Sequence, residues 1–171
     1  MTVRHKAYKY RIYPNAKQIE LLAKTFGCVR FVYNHLLAEK IEHYEKTKQT
    51  LKNTPAHLKK EYEWLREIDS MALCNAQMNL ETAYSNFFRA QKSGQDVGFP
   101  KFRSKKNHRR TYTTNLINGN IRFVDGQRIR LPKLDEVDVV LHRPIPESHR
   151  MKSATVEQAP SGKYFVSVLC E

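Results

Sequence analysis

The sequence predicts an α+β fold, in which an antiparallel β-barrel or sandwich is interrupted after its first strand by a helical insertion of about four helices. Three observations lead to this prediction: an alternating segment at the N-terminus, helical periodicity over residues 15–92, and short β runs with turn signals after residue 112. Because a lone N-terminal strand would not be stable unpaired, we expect it to join the later strands in one structure.

The first predicted strand lies within residues 1–14. Tyr8 and Tyr10 alternate with Lys9 and Arg11, which is the period of two that turns one face of a strand toward a core and the other toward solvent. The segment ends in a proline, which is expected to stop the strand. One face of this strand should therefore be basic and exposed.

Residues 15–97 are predicted to form the helical insertion. Asn15 and Gln18 have the spacing of a capping box. Gly27 is expected to end the first helix, and a new apolar stripe follows it at once. Residues 15–46 are therefore predicted to form a helix-turn-helix-like pair.

Two further helices complete the predicted insertion. Pro55 suits the first position of a short helix that runs to about Trp64. A longer helix is expected to begin at Asp69 and Ser70, and Gly94 lies beyond its end. Both helices carry apolar residues at spacings of three and four, which indicates a packed face.

The rest of the chain is predicted to be a basic aromatic loop over residues 98–112 and the remainder of the β structure over residues 113–171. Asn118-Gly119 and Asp125-Gly126 are each flanked by β runs, which predicts two successive hairpins. A third hairpin is expected around residues 160–163.

The charge of the chain is concentrated in two places. The 171 residues include 30 basic and 17 acidic side chains, for a net charge of +13. Residues 1–14 contain four basic and no acidic side chains, and residues 101–112 contain six basic and no acidic ones. A chain that is basic only for solubility would spread its charge. The concentration indicates a polyanionic partner, because each neutralised phosphate releases condensed counterions.

Aromatic residues lie among the cations of the second basic segment, which favours stacking on unpaired bases beside phosphate contacts. The alternatives are a solvated loop anchored by its aromatic residues and, for the first strand, a charged edge that discourages aggregation. The stacking candidates are Phe99, Phe102 and Tyr112. The candidate phosphate contacts are Arg4, Lys6, Lys9, Arg11, Arg30, Lys101, Arg103, Lys105, Lys106, Arg109 and Arg110.

Other functional classes have little support in the sequence. No long apolar run or signal peptide is present, so no membrane partner is expected. Cys28, Cys74 and Cys170 form no CxxC pair, which favours a reducing, cytoplasmic setting, and the first two are expected to be packed thiols. No spacing typical of a metal site or a catalytic nucleophile occurs, so no catalytic residue and no metal ligand is predicted.

A series of sequence blocks occurs in a recognisable order across nearly the whole chain. The blocks are Lys6–Pro14, Phe26–Asn34, Trp64–Leu65, Ala83–Arg89, Gly98–Arg103, Leu131–Leu134 and Tyr164–Val168. Together they resemble the OrfB/TnpB family of transposon-encoded proteins, which are RNA-guided DNA endonucleases of insertion sequences and are related to type V CRISPR effectors.

The resemblance implies a wedge-type β-barrel interrupted by a helical recognition insertion. It further implies that these parts hold a guide-type RNA and a double-stranded target DNA. In related effectors base pairing reads the target, while protein side chains read a short flanking motif. By position, the resemblance places motif reading at His5, Ser70, Met71 and Cys74.

The family continues into a RuvC-like nuclease domain that holds Mg and Zn, and this chain stops about where that domain should begin. The resemblance therefore implies a truncated, non-catalytic, nucleic-acid-binding portion that has no cofactor of its own. Its expected place is the prokaryotic cytoplasm, associated with the nucleoid when bound to DNA. Two alternatives remain: one part of a split RNA-guided nuclease whose other half is a separate polypeptide, and a helix-turn-helix repressor-like protein that binds DNA without RNA.

Overall fold

The computed structural model describes residues 2–106 and 109–171. The chain divides into two compact units, one made of Met1–Phe26 with Arg109–Glu171 and the other of Gly27–His108. We call them the sheet unit and the helical unit. The boundary between them falls inside a long helix, α1 (Ala16–Thr47).

The sheet unit is built on a single antiparallel sheet of seven strands. The N-terminal strand joins strands from the C-terminal part, as the sequence predicted. It lies at the centre of the sheet, paired on both sides, so it is not the charged edge strand considered as an alternative. The strands are β1 (Lys6–Tyr13), β2 (Arg110–Asn115), β3 (Arg122–Phe123), β4 (Arg128–Leu131), β5 (Asp135–Val140), β6 (Met151–Gln158) and β7 (Tyr164–Cys170). Their order across the sheet is β2-β6-β7-β1-β5-β4-β3.

The sheet is open, which corrects the predicted barrel or sandwich. In residues 2–106 and 109–171, β2 and β3 form its two edges and do not pair with each other. Asn118 and Gly119 do make a turn, with left-handed φ values of 51° and 71°, but β2 pairs with β6 and not with β3. The hairpins predicted at Asp125-Gly126 and around residues 160–163 are confirmed by the β3–β4 and β6–β7 pairings.

Alternation along the strands separates a buried face of the sheet from a solvent face. Tyr8, Tyr10 and Ile12 of β1 are buried, whereas Lys9 and Arg11 point to the other side. The same alternation buries side chains of the neighbouring strands, among them Val137, Val139, Ala154, Val156, Val166, Val168 and Cys170. The core of the sheet unit therefore lies on one face, and the basic residues of β1 lie on the opposite face.

Helix α1 is continuous through Gly27, where the sequence predicted that a helix would end. The buried residues Leu22, Phe26, Val29 and Val32 keep a spacing of three or four across the glycine. A glycine inside a helix costs only about 1 kcal/mol relative to alanine, and burial along a face of this length outweighs that cost. The two predicted helices are therefore joined into one.

The start of α1 has the predicted capping box. The N–H of Gln18 donates to Asn15 Oδ1 and the N–H of Asn15 donates to Gln18 Oε1, both at 2.9 Å. Gln18 is also buried, and its Nε2 donates to the carbonyl oxygens of Leu134 at 3.0 Å and Glu136 at 2.8 Å. The cap thereby ties the turn between β4 and β5 to the helix.

The helical unit contains most of α1 together with shorter helices. They are α2 (Ala56–Glu61), a 3-10 helix (Glu63–Glu67) and α3 (Ser70–Ser93). The predicted helix from Pro55 to Trp64 is thus divided in two. Asp69 caps α3 by accepting the N–H of Met71 at 3.0 Å, and Gly94 follows the helix with a φ of 72°, so both predicted ends of α3 are confirmed.

Candidate nucleic-acid interface

The solvent face of β1 places cations beside aromatic rings. Lys9 Nζ lies 4.7 Å from the ring centre of Phe165 on β7. The guanidinium carbon of Arg11 lies 4.5 Å from the ring centre of Tyr13 and 5.8 Å from that of Phe165. Arg11 and Phe165 are directly opposite in the β1–β7 register, so the four side chains adjoin one another. We call Lys9, Arg11, Tyr13 and Phe165 the sheet patch.

The sheet patch is partly open to solvent. Tyr13 is 51% exposed and the side chain of Lys9 is 52% exposed. Arg11 is half-buried, and its Nε is enclosed by protein atoms without a hydrogen-bond partner among the residues that the structure describes. A guanidinium held against two rings at a partly open surface is suited to a phosphate oxygen or a base edge.

A carboxylate at the edge of the sheet patch competes for its cations. Glu157 Oε1 lies 2.6 Å from Lys9 Nζ, and Glu157 Oε2 lies 3.4 Å from Arg109 Nη2. The hydrogen bond from Lys9 is the main reason why the pKa of Glu157 is lowered, against the opposing effect of burial. Lys9 and Arg109 were both predicted to contact phosphate, and a phosphate bound to either would compete with Glu157.

The other candidate phosphate contacts of the sheet unit are exposed but lie in different places. Arg4 precedes β1. Lys6 Nζ lies 5.1 Å from the ring centre of Tyr8, and by alternation Lys6 shares its strand face with Tyr8 and not with Lys9. Arg110 Nη1 donates to Gln158 Oε1 at 2.9 Å. The predicted basic face of the first strand therefore consists of Lys9 and Arg11.

Part of the predicted 98–112 loop lies in the helical unit, and Asn34 holds it to α1. We call residues 98–106 the basic loop; residues 107 and 108 are outside the described part of the chain. Asn34 Nδ2 donates to the Arg103 carbonyl, and Asn34 Oδ1 accepts the Arg103 N–H, both at 2.8 Å. The Arg103 guanidinium carbon also lies 3.7 Å from the ring centre of Tyr33. Arg103, predicted to contact phosphate, is thus half-buried and anchors the loop.

Two of the predicted stacking residues have exposed rings in the basic loop. Phe99 is 43% exposed and Phe102 is 56% exposed. The ring of Phe99 also makes edge-to-face contacts with Tyr84 and Phe87, each at a centre-to-centre distance of 5.3 Å. These contacts fix the orientation of the Phe99 ring while one part of it stays open to solvent.

Tyr112, the third predicted stacking residue, lies in the core of the sheet unit. It is 5% exposed, and its ring centre lies 5.8 Å from that of Phe26 on α1. Tyr112 alternates along β2 with the half-buried Thr111 and Thr113, so the strand turns it inward. The sequence placed Tyr112 in a loop because the start of β2 at Arg110 was not predicted. We therefore assign Tyr112 to packing.

The remaining candidate phosphate contacts belong to the helical unit. Lys101, Lys105 and Lys106 are exposed in the basic loop, and Arg30 is half-buried on α1. The basic loop thus presents three exposed lysines beside two partly exposed phenylalanines. Cations interleaved with aromatic rings are typical of surfaces that bind unpaired nucleotides.

The four residues predicted to read a flanking motif are divided between the units. His5 is exposed in the sheet unit, and Ser70, Met71 and Cys74 occupy the first turns of α3 in the helical unit. The Ser70 hydroxyl accepts a hydrogen bond from Lys59 Nζ at 2.9 Å. Ser70 and Cys74 are four positions apart and therefore share a face of α3.

An aromatic cluster of the helical unit was not predicted from the sequence. The ring centre of Phe31 lies 5.0 Å from those of His35 and Tyr62 and 4.9 Å from that of Trp64. Trp64 is 47% exposed. The four-residue spacing of Phe31 and His35 indicates a shared helix face, but the contribution of Tyr62 and Trp64 depends on the path of the 3-10 helix, which periodicity does not give.

Within residues 2–106 and 109–171, no group of three or more His, Cys, Asp or Glu side chains could hold a metal ion. In the same part of the chain, no helix combines the length and the apolar character needed to cross a membrane. The three cysteines form no disulfide bond with one another; Cys28 and Cys170 are buried and Cys74 is half-buried. The packed thiol predicted at Cys28 is confirmed, and the one predicted at Cys74 is only partly so.

Comparison with known proteins finds relatives that match nearly the whole chain and a domain model that matches its first part. A helix-turn-helix domain model of OrfB-type proteins matches residues 1–49, the range that contains β1 and α1. The chain is 31% identical, over 97% of its length, to a Streptomyces pristinaespiralis protein that is named as an RNA-guided DNA endonuclease. It is 27% identical, over 98% of its length, to InsQ of Escherichia coli (strain K12), which has the same description.

A shorter relative is matched along most of its own length. The chain is 36% identical, over 58% of its residues, to the virulence protein VsdF of Salmonella dublin, of which it covers 93%. By contrast, the chain spans 41% of each of the two proteins named as endonucleases. Together with the matched domain and the ordered sequence blocks, these relatives show that the chain belongs to the OrfB/TnpB family of insertion-sequence proteins.

Proposed function

We propose that this chain binds a guide-type RNA and double-stranded target DNA as the nucleic-acid-holding portion of a TnpB-like protein. The observation that carries the proposal is the sheet patch, where Lys9 and Arg11 lie against the rings of Phe165 and Tyr13. Such cations contact phosphates, and such rings stack on unpaired bases. The names of two relatives, which are those of RNA-guided DNA endonucleases, support RNA and DNA as the partners.

The basic loop is the second contact surface in this proposal. Lys101, Lys105 and Lys106 supply exposed charge, and Phe99 and Phe102 supply exposed ring surface. A single stacked base contributes about 1–3 kcal/mol to binding. We expect Phe102→Leu, at the more exposed ring, to weaken the binding of unpaired RNA by at least about fivefold without unfolding the chain.

The binding role is tested by the salt dependence of RNA affinity. RNA that copurifies with the expressed chain is sequenced, labelled and titrated at several NaCl concentrations. One variant carries Arg11→Gln, Lys101→Gln, Lys105→Gln and Lys106→Gln. Each lost contact to a single strand should lower the slope of log K against log salt by about 0.7, so the slope should fall by about 3.

A control variant of equal net charge makes this test specific. It carries Lys52→Gln, Lys60→Gln, Lys92→Gln and Lys163→Gln, four exposed positions outside the sheet patch and the basic loop. The control variant should keep nearly the wild-type slope of log K against log salt. Equal losses in both variants would mean that only the total charge matters, and the assignment of these surfaces would be abandoned.

In this proposal the chain contributes binding and not cleavage. The sequence blocks that resemble the family belong to parts that hold RNA and DNA, so we expect a nuclease half to be supplied in addition, as a further segment or as a separate polypeptide. Supercoiled plasmid incubated with the chain, the copurified RNA and Mg²⁺ should be bound and remain uncut. Strand cleavage that persists through repeated purification would show that the chain is itself a nuclease.

A second candidate is DNA binding without RNA, as in a helix-turn-helix repressor. The match of residues 1–49 to a helix-turn-helix domain favours this candidate. The two candidates differ in whether the chain needs RNA to bind duplex DNA. RNase-treated chain that still shifts a duplex DNA fragment with unchanged affinity would support the repressor, whereas loss of the shift on RNase treatment would support the RNA-dependent function.

A further inference from the structure

A basic groove of the sheet unit lies outside every site described above. It has a volume of about 700 Å³ and runs between the first turns of α1 and the β4–β5 hairpin. Five cations line it: Lys17 and Lys24 from the helix, and Arg128, Arg130 and Lys133 from the hairpin. None of the five belongs to the sheet patch or the basic loop.

The two walls of the groove are held together by a buried amide. Gln18 Nε2 donates to the carbonyl oxygens of Leu134 and Glu136, at 3.0 Å and 2.8 Å. Its Oε1 is occupied by the capping box with Asn15. All of these groups line the groove, so hydrogen bonds hold the helix and the hairpin that form its two walls together.

Three of the five cations in the groove form ion pairs, and the other two, both lysines, form none with the described residues. Lys24 lies 3.6 Å from Glu20, Arg128 lies 3.0 Å from Glu136, and Arg130 lies 3.8 Å from Asp135. These three acidic residues account for all the acidic side chains that line the groove. Lys17 and Lys133 have no salt bridge with any residue in the described part of the chain. Arg128 is also paired with Asp125, which lies outside the lining, at 3.0 Å. The positive charge left for an anion is therefore that of Lys17 and Lys133, one on each wall.

Lys133 occupies a backbone position that favours glycine. Its φ is 68°, in the left-handed region that is unfavourable for residues with a Cβ. A glycine would fit the turn with less strain but would leave the wall without its cation. This property provides a substitution, Lys133→Gly, that removes the charge without disturbing the turn.

One residue that lines the groove, Arg128, shares a face of the sheet with Tyr13 of the sheet patch. Tyr13 is opposite Asp138 in the β1–β5 register, and Asp138 is opposite Arg128 in the β4–β5 register. Directly opposite residues share a face of an antiparallel sheet, and adjacent strands are about 4.8 Å apart. Arg128 therefore lies two strands from Tyr13 on the same face, a distance of roughly 10 Å, with the acidic residue Asp138 on the strand between them.

We propose that the groove between α1 and the β4–β5 hairpin binds the phosphodiester backbone of a nucleic-acid strand that continues from the sheet patch, with Lys17 and Lys133 as its main contacts. This inference rests on the proposed function and extends it to a second site. An open groove lined mainly by charged and polar groups suits a phosphate chain better than an apolar ligand. Lysine, a compact charge on a flexible stem, adjusts readily to successive phosphates.

The test compares two double variants of the full chain. One carries Lys17→Gln and Lys133→Gln, and the control carries Lys52→Gln and Lys163→Gln. Each is titrated with fluorescein-labelled 20-nucleotide oligouridine and oligothymidine at several NaCl concentrations. The groove variant should lose about 1.4 of the slope of log K against log salt, since two contacts to a single strand are removed, and the control should keep its slope.

The comparison of oligouridine with oligothymidine distinguishes RNA from DNA as the bound strand, and the result with either oligomer tests the proposal. Loss of slope with both oligomers supports contact with the shared phosphodiester backbone, and loss with oligouridine alone supports RNA as the occupant. If wild type binds both oligomers and the groove variant keeps the slope of the control, the groove proposal is overturned while the proposed function stands. If wild type binds neither oligomer nor the copurified RNA, the proposed function fails as well.

Lys133→Gly separates binding from folding. It should keep or raise the melting temperature, because the φ of 68° suits glycine, and it should lose about half as much of the salt slope as the double groove variant, since one of the two contacts is removed. A variant with unchanged affinity and a raised melting temperature would show that the side chain of Lys133 takes no part in binding, and would overturn its assignment.

Discussion

The side-chain amide of Asn34 holds the backbone of Arg103 by two hydrogen bonds of 2.8 Å, although the two residues are 69 positions apart. The neighbouring Tyr33 receives the guanidinium of Arg103 on its ring at 3.7 Å. Two consecutive residues of α1 therefore hold both the main chain and the side chain of one loop residue. The loop residues on either side, Phe102 and Ser104, are left exposed.

We expect Asn34→Ala to loosen the basic loop. The substitution leaves the N–H and the carbonyl of Arg103 without this partner, and the free energy of unfolding should fall by about 1–3 kcal/mol. Trypsin should cleave the native chain faster after Lys101 and Arg103, as followed by mass spectrometry. Asn34→Asp keeps the acceptor and loses the donor, so its cleavage rate should be intermediate. Cleavage rates equal to wild type would show that Asn34 does not hold the loop.

The difference between local and distant contacts explains which parts of the fold could be predicted. The capping box of Asn15 and Gln18 joins residues three positions apart, and the residue types at that spacing were sufficient to predict it. The Asn34–Arg103 pair has no such signal. The same reason applies to the sheet, because a turn at Asn118-Gly119 is a local property, whereas the pairing of β2 with β6 depends on the order of all the strands.

In the candidate site, too, contacts within one strand could be predicted and contacts between strands could not. Alternation along β1 was enough to put Lys9 and Arg11 on one face. Phe165 could not be added to that face from periodicity alone, because its position opposite Arg11 depends on the β1–β7 register. The competing carboxylate of Glu157 is contributed by β6, which neighbours β7 and not β1. Sequence patterns therefore identified the cations, but not the aromatic ring and the carboxylate that contact them.

Gly27→Ala is expected to stabilise the protein. Gly27 lies within α1, and a Cβ at this position would meet no atom within 4 Å. Alanine restricts the unfolded chain and favours the helix, so the free energy of unfolding should rise by about 0.5–1 kcal/mol in urea titrations. Gly94→Ala is the matched comparison, because Gly94 has a φ of 72° and the same change should destabilise the chain. A loss of stability in Gly27→Ala would indicate that α1 bends at this glycine in solution.

Thiol reactivity should distinguish the three cysteines. Cys28 and Cys170 are buried, and burial raises the pKa of the Cys170 thiol, whereas Cys74 is only half-buried. Because the thiolate is the reactive form, Ellman's reagent at pH 8 should label Cys74 quickly and the other two only after unfolding. In Cys74→Ser the fast phase should be absent. A fast phase that remains in this variant would mean that one of the buried thiols is exposed by local opening.

The ion pair between Lys9 and Glu157 should make stability depend on pH in the acid range. The pKa of Glu157 is lowered in the folded protein, mainly by the hydrogen bond from Lys9. A carboxyl with a lowered folded pKa contributes stability that is fully present above its unfolded pKa of about 4.3 and is lost as the pH falls through the folded value. Wild type should therefore be more stable than Glu157→Gln at pH 7, and urea titrations should show this difference closing below about pH 4. A difference that is independent of pH would exclude the ion pair as its cause.

The same carboxylate is expected to limit the affinity of the sheet patch for nucleic acid. Glu157 contacts Lys9 at 2.6 Å and Arg109 at 3.4 Å, so Glu157→Gln should release two cations and tighten RNA binding, with a steeper dependence on salt. Glu147→Gln changes the net charge equally at an exposed position outside the patch and serves as the control in anisotropy titrations. The Glu157 variant should bind more tightly than the Glu147 variant, because its effect is local. If the two variants bind RNA equally, then Lys9 and Arg109 do not contact the phosphates, and the RNA path across the sheet must be sought at Arg11 and beyond.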